Sequence, residues 1–427
     1  MDKDKQIGHR MKGQLKKYLN RLFPEWGAVE QKTAFDLTFG IAKSGDIKVS
    51  SIGRALGEKQ KLKHTLKRLY NGLSSREYSQ VIEDAVASRY AGGFTEDTVL
   101  AIDLTDISKP YAKKMANMSY VHDGDTGKLR LGYQQIVITA NRMGEDRPQV
   151  LGDSVFSKAA TPEITSRDVC LAMLADMRPV HGSGGIRVAD RFFDNKHYFR
   201  FFAEAEEKFV IRAKGNRKVL EVKGGRVVPG KVGIEVLADS CRTPSPYRVS
   251  SWKNGEWHRK TTVRAGSRKV FLPCINQIIT MVVLKGFGRT PMVLLTNIEV
   301  PREGEAVLER IIQAYRSRWM CEEWVRFAKQ EYQLEDIRSL NYQSLINVLA
   351  FALLAMDFIT KHLGRMPALR TMQLRILKKA IAIFEQDAKF LFYRLSAGTR
   401  DALKMIAAGY KKLKQELAAD PQLELAL

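Results

Sequence analysis

The sequence predicts a mixed α/β protein: an α/β core interrupted by a β-rich insertion, with helical regions at both ends. Two observations indicate this fold class. Short apolar runs that resemble strands alternate with helical periods from about residue 91 onward. Residues 1–90, and the chain beyond residue 303, have helical periodicity instead. The chain of 427 residues is 44% hydrophobic, which is enough to build the cores of two to four domains.

The charge of the chain favours a polyanionic partner. Its 70 Lys and Arg exceed its 47 Asp and Glu by 23, and nucleic acid is the commonest partner of so basic a protein. A membrane is the alternative, but the best apolar stretch, residues 345–356, is too short to span one and ends at Asp357. We interpret it as a buried helix and expect no membrane association.

The N-terminal residues and the cysteines indicate the cellular compartment. The first 14 residues are charged and no apolar stretch follows them, which is not typical of a secretory signal. None of the four cysteines lies in a C-x-x-C pair, so neither a zinc site nor a redox motif is indicated. We expect a reduced, cytoplasmic protein.

The first 90 residues predict a positively charged helical region. Residues 1–75 hold 16 Lys and Arg against 7 Asp and Glu, a net charge of +9. The densest stretch interleaves cations with leucines, which predicts a basic helix with an apolar stripe. Its residues are Lys59, Lys61, Leu62, Lys63, Leu66, Lys67, Arg68 and Leu69. DNA binding by residues 1–90 is one interpretation, and a solvated helix face is the other.

Two short apolar runs each end in an aspartate. The run T-V-L-A-I-D ends at Asp103, and the run G-I-R-V-A-D ends at Asp190. Ligand sites in α/β sheets form where strands end, so both carboxylates are candidate site residues. Two rival carboxylates rank lower: Asp106 is expected three residues past the end of its strand, and Asp194 beyond the following turn.

A basic, β-rich insertion is predicted between the second aspartate and the C-terminal helices. Residues 215–300 contain short Val, Ile and Leu runs that are interrupted by Gly, Pro and Asn. They hold 15 Lys and Arg against 5 Asp and Glu, a net charge of +10.

A predicted helix over residues 311–331 supplies a third carboxylate. At 100° per residue, five polar or charged side chains fall within about 80° of arc. They are Tyr315, Arg318, Glu322, Arg326 and Lys329. Met320, Trp324 and Phe327 lie on the far side and are expected to pack. Because Glu323 lies off the polar face, Glu322 is the preferred carboxylate, although an ordinary amphipathic helix with ion pairs at i,i+4 remains open.

Together these features predict phosphodiester chemistry. The three carboxylates of Asp103, Asp190 and Glu322 could bind two divalent ions, which clamp the attacking and leaving oxygens of an in-line displacement. Mg²⁺ is the expected ion, with Mn²⁺ as a substitute. The neighbouring Arg and Lys side chains would hold phosphate oxygens.

The helix motif resembles a known family. Its spacing, Tyr315-x₂-Arg318-x₃-Glu322-x₆-Lys329, is similar to the Y-R-E-K signature of the DDE-type bacterial insertion-sequence transposases of insertion-sequence family four. The segments A-I-D-L-T-D (101–106) and V-A-D-R-F-F-D (188–194) resemble the two segments that carry their catalytic aspartates. F-V-I-R-A-K (209–214) resembles the strand that follows, and the likeness extends over about residues 35–360.

The resemblance implies an RNase H-like catalytic core with Asp103, Asp190 and Glu322 as its metal-binding triad. It also implies DNA contacts near the cleavage site, and Arg326 shares the helix face concerned. The expected DNA contacts are Tyr315, Arg318, Arg326, Lys329, Arg212 and Lys214. Some relatives stabilise a flipped base with side chains of the β insertion; here Met292 stands where a close relative has Trp, and Trp252 and Trp257 are the other candidates.

The implied function is DNA transposition by a cut-and-paste route, with a hairpin or another route for the second strand. The implied partners are double-stranded DNA, as terminal inverted repeats and target, and a second copy of the chain; no nucleotide cofactor is expected. A structure-directed RNase H-like nuclease and a catalytically silent DNA-binding derivative are the alternatives. The expected division is an N-terminal helical domain (1–90), the core in two parts (91–214 and 301–365), the insertion (215–300) and a helical C-terminal region for dimerisation (366–427).

Overall fold

The computed structural model describes residues 3–90, 93–124, 126–145, 148–253, 256–301, 303–364, 370–381, 391–404 and 406. The described part of the chain is a large mixed sheet with helices packed on it, so the predicted α/β class is confirmed. Much of the predicted C-terminal region, including residues 382–390 and 407–427, lies outside the described residues.

Helices form the N-terminal part, and two of them end at glycines. The helices are α1 (Lys3–Leu22), α2 (Ala28–Ser44), α3 (Val49–Leu56), α4 (Leu62–Ser74) and α5 (Ser79–Ser88). Gly45 and Gly57 follow α2 and α3 with φ of 64° and 60°, a left-handed conformation in which a side chain would be strained. The turn after Gly57 leads directly into α4, the basic helix that the sequence predicts.

A single mixed sheet contains all the strands of the described chain. They are β1 (Thr98–Ser108), β2 (Ser119–His122), β3 (Leu129–Arg142), β4 (Gln149–Phe156), β5 (Ile186–Ala189), β6 (Lys208–Arg212), β7 (Lys218–Lys223), β8 (Arg226–Gly233), β9 (Ser245–Lys253), β10 (Glu256–Leu272), β11 (Gln277–Lys285) and β12 (Met292–Thr296). The order is β2-β3-β1-β5-β6-β12-β11-β10-β7-β8, with β4 on β3 and β9 on β10. The strands of residues 215–300 therefore extend the core sheet.

The remaining helices lie between and after these strands. They are α6 (Ser166–His181), α7 (Lys196–Glu204), α8 (Ile234–Asp239), α9 (Glu305–Ser317), α10 (Trp319–Tyr332), α11 (Tyr342–Asp357), α12 (Arg370–Ile381) and α13 (Leu391–Lys404). The predicted single helix over 311–331 is wrong, because α9 ends at Ser317 and α10 begins at Trp319.

The N-terminal helices share their hydrophobic core with the C-terminal ones. One cluster of buried side chains runs from α1–α5 through α10 and α11 to α13. Helix α11 lies inside this cluster, and its buried Asn347 accepts from the backbone N–H of Tyr78 at 2.8 Å and donates to the carbonyl oxygen of Leu73 at 2.8 Å. The helices of residues 1–90 thus have no hydrophobic core separate from the rest of the described chain.

The longest apolar helix is a core helix. Tyr342–Leu363, which is α11 with the π-helical turn after it, is long and apolar enough to cross a membrane, but 83% of its most apolar window is buried inside the protein. Its buried Asp357 accepts from the Tyr18 hydroxyl at 2.7 Å and from Arg89 at 2.5 Å. The helix is longer than the sequence suggested, and the interpretation as a buried helix holds.

Candidate active site

Adjacent parallel strands bring Asp103 and Asp190 to neighbouring positions. Ile102 of β1 pairs with Ala189 of β5, so the residues that follow them, Asp103 and Asp190, lie side by side at the same end of this pairing. Neighbouring strands lie about 4.8 Å apart. Asp190 begins a short 3₁₀ turn, Arg191–Phe193, and its carboxylate accepts from the backbone N–H of Phe192 at 2.8 Å.

Helix α10 carries Glu322 to the same part of the sheet. The preceding residue, Cys321, is buried, and its Sγ contacts the carbonyl oxygen of Val137 at 3.7 Å. Val137 of β3 is the antiparallel partner of Asp103 on β1. Helix α10 is therefore anchored at Val137, which is next to Asp103 on the adjacent strand. This explains why Glu322 and Asp103 interact.

Asp103 interacts electrostatically with both Asp190 and Glu322. Burial raises the pKa of Asp103 to about 7; Glu322 and Asp190 add to the rise, and the positive charge of Arg318 opposes it. Burial disfavours the ionised form of a carboxyl group and nearby carboxylates add to the effect, so Asp103 is harder to ionise than a carboxyl group in water.

Arg318, between α9 and α10, is the cation of the site. Its guanidinium contacts Glu322 Oε1 at 2.5 Å and lies 5.7 Å from the centroid of the Tyr315 ring. Burial lowers its pKa, but Glu322, Tyr315 and Asp103 outweigh this effect and raise it. Its Nε is buried without a hydrogen-bond partner among the described residues. The i,i+4 ion pair that the sequence left open as an alternative is therefore present.

The two sides of α10 differ as the sequence predicts. Met320, Trp324 and Phe327 are buried, whereas the Glu322 side chain is 37% exposed. Glu323 is buried and accepts from Arg326 and from the Tyr393 hydroxyl, the latter at 2.9 Å. Glu323 is thus engaged in packing, which supports the preference for Glu322.

The rival carboxylates are engaged elsewhere. Asp106 accepts from the Ser108 hydroxyl at 2.6 Å and from the backbone N–H of Gly124 at 3.2 Å. The expectation that Asp106 lies past its strand is wrong, because β1 continues to Ser108; three residues from Asp103, it faces the opposite side of the strand. Asp194 accepts from the backbone N–H of Lys214 at 2.7 Å and from the Arg217 guanidinium.

The residues expected to contact DNA are spread around the site. Tyr315 is largely buried in an apolar cluster at 8% exposure. Lys329 pairs with Glu335 at 2.9 Å, and the side chain of Arg326 is 48% exposed. Because Tyr315 is buried, these side chains do not form the single exposed polar face that the sequence predicts.

The remaining candidate DNA contacts lie on or next to strands β6, β9, β10 and β12. Arg212 ends β6, where it pairs with Leu294, and the exposed Lys214 follows two residues later. Met292 begins β12 and packs against an apolar cluster. Trp252 and Trp257 are register partners on β9 and β10, and their side chains lie outside the described part of the chain.

The three carboxylates are candidate ligands of a metal ion. Within the described residues, no three His, Cys, Asp or Glu side chains are grouped closely enough to form a ready metal site. Asp103, Asp190 and Glu322 carry the carboxylate oxygens that Mg²⁺ prefers as ligands, and the pKa of Asp103 is raised mainly by burial, with smaller contributions from Glu322 and Asp190. The sequence analysis missed Cys321 and Val137, which seat α10 on the sheet, because neither residue type marks a site in a sequence.

Comparisons with known proteins identify the family. The family described as "Transposase DDE domain" matches residues 94–358. A solved structure, a piggyBac transposase synaptic complex with hairpin DNA, aligns with 96% of this chain and 82% of its own at 9% identity and a TM-score of 0.44. A comparison with curated protein sequences finds no significant match.

Proposed function

The chain belongs to the family of the transposase DDE domain, and from this premise we propose that it cleaves DNA at the ends of a mobile element and joins the freed 3′-OH to target DNA. The observation that carries the proposal is the electrostatic coupling of Asp103 to Asp190 and Glu322, three carboxylates from distant parts of the chain. The Y-R-E-K spacing further supports membership of insertion-sequence family four.

The proposed catalytic core is RNase H-like. Strand order β4-β3-β1-β5-β6, with β1 antiparallel to β3 and parallel to β5, supports this proposal. In this arrangement the first aspartate lies on the central strand and the second follows the adjacent parallel strand. Asp190 follows the carboxyl end of β5, which is where α/β sheets commonly place ligand sites, and Asp103 lies on the neighbouring strand β1.

Asp103, Asp190 and Glu322 are the proposed ligands of two Mg²⁺ ions. Such a pair of ions activates the attacking water or 3′-OH and stabilises the leaving oxygen. Asp190 is oriented for this role by the N–H of Phe192, and Cys321 fixes the depth of α10. Arg318, whose guanidinium contacts Glu322 at 2.5 Å, is proposed to hold a phosphate oxygen beside it.

DNA binding by the N-terminal helices is proposed to use α4. The short α3, the turn at Gly57 and α4 form a helix-turn-helix arrangement, whose second helix commonly enters the major groove. Five exposed polar residues of α4 face solvent: Lys63, His64, Lys67, Tyr70 and Asn71. Arg68 instead contacts Asp36 at 2.6 Å and Glu58 at 2.7 Å, which ties α4 to α2 and the turn. A pair of protomers, each holding one element end, completes the proposal.

The proposal is tested with a labelled duplex that carries the inverted repeat flanking the gene, incubated with supercoiled plasmid and Mg²⁺. Wild-type protein should nick the element end and yield joined product. D103N, D190N and E322Q should each lose more than about 100-fold in cleavage rate while still binding the duplex. The matched control is Glu204→Gln, which removes an exposed carboxylate on α7 and should leave cleavage unchanged.

The same assay separates the alternatives. Cleavage without joined product, even from a pre-cut end with a free 3′-OH, would identify a nuclease. Binding without cleavage by the wild-type protein in Mg²⁺ or Mn²⁺ would identify a silent derivative. Either result would refute the transposase proposal.

A further inference from the structure

A positively charged cleft lies where β6 leaves the sheet. It has a volume of about 460 Å³ and lies between the loop after β6, the β7–β8 hairpin and the turn after β10. Polar lining is supplied by Asp194, Lys214, Asn216, Arg217, Lys218 and Lys231. Cys274 is also among the lining residues of the cleft. We call this feature the Lys214–Lys231 cleft.

The charge of the cleft is strongly unbalanced. Four of its lining residues are cations and one is a carboxylate. That carboxylate, Asp194, is fully buried and already accepts from the Arg217 guanidinium and the Lys214 backbone N–H. Lys214, Lys218 and Lys231 are exposed. The cleft therefore presents positive charge that its own carboxylate does not neutralise, as a phosphate-binding surface does.

The cleft adjoins the candidate active site. Strands β5 and β6 are parallel, with Ala189 paired to Ile211, so Asp190 and the residues after Arg212 leave the sheet at the same edge. The 3₁₀ turn Arg191–Phe193 connects Asp190 directly to Asp194 in the cleft wall. A DNA strand with a phosphate at Asp190 would thus pass near the cleft, because only the three residues of this turn separate Asp190 from Asp194.

We propose that the Lys214–Lys231 cleft binds backbone phosphates of the DNA strand that passes Asp190. The inference rests on the proposed function for the identity of the polyanion. It assigns Lys218 and Lys231, which the sequence analysis did not single out, to substrate positioning. Contacts to phosphate carry no sequence information, so this cleft holds DNA in register without reading its bases.

The first test measures binding of a fluorescein-labelled 30-base-pair duplex of arbitrary sequence by anisotropy across a range of NaCl concentrations. The double variant K218A/K231A should bind more weakly, and the slope of log K against log salt should fall by about 2, because each lost phosphate contact removes about 0.9. The control is Lys208→Ala, an exposed lysine at the other end of β6, which should keep the wild-type slope. An unchanged slope in the double variant overturns the proposal.

A second measurement uses the wild-type protein and does not depend on how the variants fold. Cys274 lines the cleft and is half-buried, while Cys170, Cys241 and Cys321 are buried. A saturating amount of the same duplex should slow the alkylation of Cys274 by iodoacetamide, as read by peptide mass spectrometry. Protection of Cys274 by inorganic phosphate but not by the duplex would identify a site for small anions. Protection by neither would mean that the cleft binds neither phosphate nor DNA. Both results overturn the proposal.

The two proposals fail in different ways. If the double variant shows the reduced slope but wild-type protein never cuts DNA, the cleft stands and the transposase proposal falls. If wild-type protein cuts and joins DNA while the slope and the alkylation rate do not respond, only the cleft is refuted.

Discussion

Replacing Asp103 by Asn should stabilise the metal-free protein while it abolishes catalysis. The folded environment raises the pKa of Asp103 from 3.8 to about 7, because the carboxylate is buried and lies near Glu322 and Asp190. At neutral pH the fold must therefore hold a charge that would be better solvated in the unfolded chain. Asparagine has nearly the same shape and no charge, so it removes this cost.

The sign and size of the effect follow from the pKa. A carboxyl whose pKa is raised on folding destabilises the fold as it ionises: the cost is absent below pH 3.8, grows between pH 3.8 and 7, and is complete above pH 7. A rise of this size corresponds to at most about 4 kcal/mol. The carboxyl group is buried, but residue 103 as a whole keeps some exposure to solvent, which screens its charge; we therefore expect Asp103→Asn to raise the free energy of unfolding by about 2 kcal/mol at pH 8.

The assay is urea denaturation followed by circular dichroism in EDTA, at pH 5, 6, 7 and 8. The difference between D103N and wild-type protein should be small at pH 5 and should grow up to pH 8. Added Mg²⁺ should then stabilise the wild-type protein, by about 2.7 kcal/mol at roughly 100 times its Kd, and D103N far less. The reasoning is refuted if D103N is no more stable than wild type at pH 8, or if the two respond to Mg²⁺ equally.

Two further predictions concern buried charges that are not part of the proposed triad. Burial raises the pKa of Asp153 to about 6, although a hydrogen bond from Gln135 opposes the rise. Asp153→Asn should therefore be more stable than the wild-type protein, and the difference should grow as the pH rises from 4 to 7. In the same denaturation assay the variant should respond to Mg²⁺ as the wild type does, and a changed response would contradict this. Glu207 is buried and contacts Arg187 at 2.7 Å and Arg178 at 3.0 Å. Glu207→Gln should therefore lower the free energy of unfolding by about 3 kcal/mol, because the buried Arg187 loses its counter-charge; a loss below roughly 0.5 kcal/mol, the range of ordinary surface substitutions, would show that the pair contributes little.

The extent of β1 shows one limit of the sequence analysis. The apolar run ends at Asp103, and the strand was therefore expected to end there, but pairing with β3 continues to Ser108 opposite Gly132. A long antiparallel partner satisfies the backbone of polar residues that local hydrophobicity assigns to a turn. Which carboxylate faces Glu322 is then decided by strand alternation, and Asp106 points the other way.

The helix that carries Glu322 shows a second limit. Periodicity placed Tyr315 and Glu322 on one polar arc of a single helix, whereas α9 ends at Ser317, α10 begins at Trp319, and Tyr315 packs in an apolar cluster. Glu322 nevertheless lies near Asp103, because the neighbouring residue Cys321 packs against β3 and positions the helix. The ion pair with Arg318 was visible in the spacing, but its burial was not.

The sequence by itself determined the fold class, the positive charge, the three candidate carboxylates and the family signature, because hydrophobic period, composition and motif spacing are local properties of a chain. Tertiary structure alone decided which carboxylates interact, where Arg318 lies among them, and that a basic cleft opens beside Asp190. These features depend on strand order and on helix docking between segments more than 80 residues apart, such as Asp103 and Asp190. The physical reason is that a pKa or a cleft is set by every group within a few ångströms, and the sequence does not state which groups those are.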